Sequence, residues 1–84
     1  MTRFAIVWTG KAQAQLAALD RSLSRRIAAR VALLSNDPFR YLGRLVNSPY
    51  FRLRVGDWRV IVAVEENIVT VVVLEISHRR SAYR

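Results

Sequence analysis

Three arginines, Arg52, Arg54 and Arg59, flank a Gly56-Asp57 dipeptide, with Phe51-Arg52-Leu53-Arg54-Val55 before it and Trp58-Arg59-Val60-Ile61 after it. The first of these stretches alternates apolar with basic residues, as a strand with one buried face does. If Gly56-Asp57 is a two-residue hairpin turn, Val55 pairs with Trp58 and Arg54 lies opposite Arg59, with Arg52 two residues along on the same face. Like charges directly across a ladder oppose folding, so such a patch points to an anionic ligand. Guanidinium suits that task, because its planar fork pairs bidentately with phosphate or carboxylate. The plainer alternative is surface pairing of these arginines with Asp57 or Glu75, each pair contributing ~0–1 kcal/mol.

A second concentration of reactive groups follows the last apolar run. Ser77-His78-Arg79-Arg80-Ser81-Ala82-Tyr83-Arg84 carries an imidazole, three guanidiniums and a phenol. An imidazole, with a reference pKa of ~6.5, can move protons at neutral pH, whereas arginine can only stabilise charge. Alone, a basic tail is a solvated tail. Next to the hairpin, however, the exit of the last strand is expected to bring His78 to Tyr83 to the edge of the arginine-bearing face, so that cationic, acid–base and stackable groups converge.

The rest of the composition narrows the field. Eighty-four residues form one small domain, spanning 1–84, and leave no room for a large substrate cleft. No cysteine and a single histidine exclude disulfides, thiolate nucleophiles and a zinc site, so no metal and no cofactor are expected. The formal charge is +8, and with Lys11 the only lysine among fourteen basic residues, thirteen are arginines. No run approaches the ~18 apolar residues of a membrane span, and Met1 to Trp8 is too short for the apolar core of a signal peptide, so a cytoplasmic location is expected. Many of the arginines fall in strand-like segments rather than along one helix face, which argues against a membrane-surface role.

These groups need a scaffold. Residues 4 to 8 are aromatic and β-branched and predict a first strand, after which Thr9 stands as the N-cap of a helix through Ala12, Leu16 and Leu19. Asp20-Arg21-Ser22 connects to a second helix, whose Leu23, Ile27, Val31 and Leu34 recur at helical spacing until Pro38 forbids continuation. Its Arg21, Arg25, Arg26 and Arg30 are expected to form a solvated face. The hairpin strands come next. Glu65-Glu66-Asn67 then turns the chain into Ile68 to Leu74, almost continuously apolar, as a central strand covered on both faces would be. The order β-α-α-β-β-β gives an α+β domain, an antiparallel sheet packed on a helical hairpin with one sheet face partly open. By alternation Trp58 belongs on the helix side, in the core.

The segment Leu53-Arg54-Val55-Gly56-Asp57-Trp58-Arg59-Val60-Ile61, the apolar strand after it, and His78-Arg79-Arg80 with Tyr83 resemble the RelE branch of the RelE/ParE toxin superfamily, and the strand and helix order is also that superfamily's. The resemblance implies the toxin of a type II toxin–antitoxin system. Such a toxin is a ribosome-dependent mRNA endonuclease that cuts mRNA in the ribosomal A site without a metal, by attack of a 2′-hydroxyl on the adjacent phosphate. Its implied partners are mRNA and ribosomal RNA in the A site, and an acidic RelB-like antitoxin that holds it inactive. Position by position, the resemblance puts patch arginines at Arg52 and Arg54, the transition-state arginine at Arg59, a second catalytic arginine at Arg79 or Arg80, and a stacking or acid–base tyrosine at Tyr83. Arg84 joins Arg52, Arg54 and Arg79 as an RNA contact.

One departure concerns the proton. Relatives carry a lysine in the strand patch, whereas here Arg52 and Arg54 occupy it and Lys11 sits in the first helix. His78 is the first candidate for the missing base and Tyr83 the second; a third route has no tuned base, only reshaping of the mRNA and electrostatic stabilisation. Two rival readings remain, a ParE-like toxin that inhibits DNA gyrase by protein contact, and a degenerate RNA-binding homologue without catalysis.

Overall fold

The two longer helices start where a short polar side chain takes an orphan backbone N–H. The computed structural model describes residues 3–79. Strand β1 (Ala5–Trp8) leads into α1 (Gly10–Ala17), where the Thr9 hydroxyl accepts from the Ala12 N–H at 3.1 Å. Helix α2 (Arg21–Ala32) opens in the same way on Asp20, whose Oδ1 accepts from Leu23 N at 2.9 Å. A 3₁₀ turn (Leu33–Ser35) ends it, and Pro38 begins the single turn α3 (Pro38–Tyr41), at a position where a missing N–H costs nothing. Strand β2 (Gly43–Arg44), β3 (Phe51–Val55) and β4 (Trp58–Glu65) follow, and a second 3₁₀ turn (Glu66–Ile68) leads to β5 (Thr70–His78).

The strands form one sheet in the order β1-β5-β4-β3-β2. The α+β class and the helices on one face are as the sequence implies, with two refinements. The sheet is antiparallel except at its edge, where β1 runs parallel to β5. It also gains β2, which with α3 fills the span between Pro38 and Tyr50. Leu53, Val55, Val60, Val62, Val71, Val73 and Ile76 from the sheet meet Ala12, Ile27, Val31 and Leu34 from the helical side, all buried. Helix α1 lies over β5 and α2 over β3.

Strand β5 departs from the two-sided burial that its apolar run suggests. Val71 and Val73 are buried, whereas Val72 is only half-buried, shielded by its register neighbours Val7 and Ala63 rather than by a second layer of helices. Between Val73, which faces Val62, and Glu75, which faces Ile61, Leu74 is an extra residue, a β-bulge. Beyond Trp8, β1 no longer covers the edge of β5, and α1 takes over. Thr9 N donates to Val73 O at 3.1 Å, the Thr9 hydroxyl to Leu74 O at 3.2 Å, Ile76 N to Gln15 Oε1 at 2.7 Å, and Lys11 pairs with Glu75. Backbone groups that would leave an edge sticky are thereby satisfied. No helix among the described residues is long and apolar enough to cross a membrane.

Candidate nucleic-acid interface

The β3–β4 turn fixes the arginines. Gly56 has φ +59° and Asp57 a negative φ, the pattern of a type II′ turn, whose twist matches that of the flanking strands. The register that follows pairs Val55 with Trp58 and Arg54 with Arg59, and puts Arg52 opposite Ile61. Arg54 is exposed and Arg59 half-buried on the face away from the helices, while Leu53 and Val55 point into the core.

Arg52 shares that face but is engaged elsewhere. Its Nη1 donates to Arg44 O at 2.7 Å, and its guanidinium lies so close over Gly43 that a Cβ there would stand 3.0 Å from Cζ. It ties the edge strand β2 to β3. Arg79 takes its place beside Arg54 and Arg59, because its backbone N–H donates to Asp57 O at 2.8 Å and draws the exit of β5 against the turn. Arg54, Arg59 and Arg79 line a small recess of about 40 Å³ with Gly56, Asp57 and Trp58. Among the described residues no carboxylate stands within ion-pair distance of any of the three; Glu75, the partner that a surface network would use, is taken by Lys11. The recess thus holds three guanidiniums against one carboxylate, that of Asp57, with which none of them forms an ion pair among the described residues.

His78 lies on the other face. Without interruption, the alternation from Val71 and Val73 would turn His78 to the arginine side. The bulge at Leu74 reverses the phase, so that Ile76 and His78 face the helices while Ser77 lies opposite Arg59. His78 pairs with Trp58, ring against ring at 5.0 Å and 81°. Trp58 is half-buried against the core, on the side its alternation implies. Arg80, Tyr83 and Arg84 lie outside the described residues.

One arginine read as part of a solvated helix face has a position of its own. Arg26 reaches from α2 to the turn, and a Cβ on Gly56 would lie 2.6 Å from its Nη2. Its place next to Ile27 in the sequence says nothing about that reach, which depends on how α2 lies over β3.

The architecture is that of the RelE-like toxins. The chain superposes on the toxin of the RelBE2 toxin–antitoxin complex of Mycobacterium tuberculosis with TM-score 0.82 and 24% identity, covering 94% of each chain. On the RelE–RelB complex of Pyrococcus horikoshii the TM-score is 0.80 at 20% identity, over 93% of this chain and 97% of that one. On the intact RelBE complex of Escherichia coli it is 0.78 at 12% identity, over 89% and 95%. Residues 6–83 match the family described as the ParE toxin of the type II toxin–antitoxin system parDE, and the chain belongs to that family, within the RelE/ParE superfamily. No curated protein matches it by sequence alone.

Proposed function

We propose that this toxin is an endoribonuclease that cuts mRNA in the ribosomal A site, and that an acidic RelB-like antitoxin neutralises it. The observation that carries this reading is the gathering of Arg54, Arg59 and Arg79 around one tight turn, three guanidiniums to the single carboxylate of Asp57 and none of them ion-paired among the described residues. Attack of a ribose 2′-oxygen on the adjacent phosphorus forms the new P–O bond, breaks the bond to the 5′-oxygen, and passes through a phosphorane with extra negative charge. Three guanidiniums gathered at one turn stabilise that charge.

Arg59, half-buried and held by the ladder on both sides, is the one assigned to the transition state. For the 2′-hydroxyl proton, the position of His78 across the sheet from Arg54 and Arg59 favours Tyr83 or the electrostatic route over the imidazole. The antitoxin proposal rests on the +8 charge and on the RelB-bound state of the three matched complexes.

A gyrase-directed toxin is the second reading, favoured by the family model, which is that of ParE. Primer extension on mRNA held in programmed ribosomes, with ribosome-free RNA beside it, separates the two. Ribosome-dependent cuts that fall ~10²–10³-fold in Arg59→Ala support the endonuclease, since that is the cost of losing one preorganised donor. An uncut message together with inhibited gyrase supercoiling overturns it.

A further inference from the structure

The phosphate recess has a larger neighbour on the other side of the same turn. Between the start of α2 and the end of the sheet runs an open cleft of about 440 Å³, within the ~300–1,000 Å³ of small-molecule sites. Its walls include Arg26, Ser22 and the Trp58–His78 ring pair, and it shares Gly56, Asp57 and Trp58 with the recess. The two spaces differ about tenfold in volume and meet at one turn, so a strand that sets a phosphate in the first has somewhere to put the attached nucleoside. The lining suits one. The indole of Trp58 and the imidazole of His78 give aromatic surface for a base. Arg26 brings a guanidinium with no ion-pair partner among the described residues, and Asp57 at the rim brings a carboxylate that can accept from an exocyclic amino group.

We propose that this cleft is a nucleoside subsite, taking the base of the nucleotide next to the phosphate held by Arg54, Arg59 and Arg79, and favouring a base with an amino group over uracil. The proposal rests on the RNA-binding reading above and adds to it a second face of contact, reached around the end of the β3–β4 hairpin. Arg26 is then a binding residue, and its seat on Gly56 aims it at the strand.

Equilibrium binding of single-stranded hexamers tests it, with oligo(C) and oligo(U) as probes and Trp58 fluorescence as the reporter in a Trp8→Phe background. Occupancy of the cleft predicts a Trp58 signal on binding, about fivefold preference for oligo(C) over oligo(U), and about tenfold weaker oligo(C) binding in Arg26→Ala, within the range one stacked base contributes. Arg26→Lys, which keeps the charge but not the planar fork, should recover only part of the loss and shows whether a mere loss of charge explains it. If Arg59→Ala weakens binding while Arg26→Ala binds both probes like the parent and Trp58 stays silent, the subsite is wrong and the phosphate patch stands. If neither variant weakens binding, the RNA reading fails and the subsite with it.

Discussion

Replacing Arg54 by threonine should make the fold more stable and the protein worse at binding RNA. Arg54 is exposed and lies directly opposite Arg59, and neither forms an ion pair with a carboxylate among the described residues. Two unit charges ~5 Å apart repel by ~0.8 kcal/mol in water, which agrees with the ~0.2–1 kcal/mol assigned to an unfavourable cross-strand pair. Threonine removes the repulsion and suits a strand. For a domain of this size ~1 kcal/mol moves Tm by ~4–8 °C, so thermal unfolding in ~0.01 M salt should rise by about 1–8 °C. In ~1 M salt, where the Debye length shrinks from ~30 Å to ~3 Å, the gain should largely vanish. Parallel titration with a single-stranded RNA should show weaker binding. A variant less stable than the parent at low salt, or a gain that salt does not change, would show that the arginine pair serves the fold and would remove the argument for an anion site.

Two further substitutions probe the parts that position the site. Gly56→Ala imposes φ +59° on a side chain and sets a methyl against Arg26, so it should cost ~1–2 kcal/mol in urea unfolding; Gly10→Ala, where an added Cβ meets nothing, should be neutral or slightly stabilising. Gln15→Leu leaves the Ile76 N–H without its acceptor at the edge of β5, which should cost ~1–3 kcal/mol and speed amide exchange at Ile76 more than at Val60.

The sequence was most legible where structure is local. Thr9 and Asp20 cap their helices, the Leu23-Ile27-Val31-Leu34 stripe turns to the core, and Gly56-Asp57 sets the register that opposes Arg54 to Arg59. Each of these follows from a few neighbouring residues. What escaped depended on the rest of the chain. A single extra residue at Leu74 moves His78 off the arginine face, and nothing in an unbroken apolar run marks where a bulge will fall. Arg52 looked equivalent to Arg54 until β2 gave it a carbonyl to bind, and β2 is too short to show a period. Arg79 and Arg26 reach the turn through the paths of β5 and α2, so their convergence is a property of the packing. The parallel edge of the sheet is likewise invisible to periodicity, which is the same for either strand direction.

The central claim is that Arg54, Arg59 and Arg79 hold RNA phosphates at the β3–β4 turn. The most direct test is the slope of log K against log salt for a single-stranded RNA, measured for the parent chain and for Arg59→Ala. Three contacts at ~0.7 each predict a slope of about −2, and four, with a contact beyond these three, about −3; Arg59→Ala should lower the magnitude by ~0.7. A slope near zero, or one that Arg59→Ala leaves unchanged in a folded protein, would contradict the account.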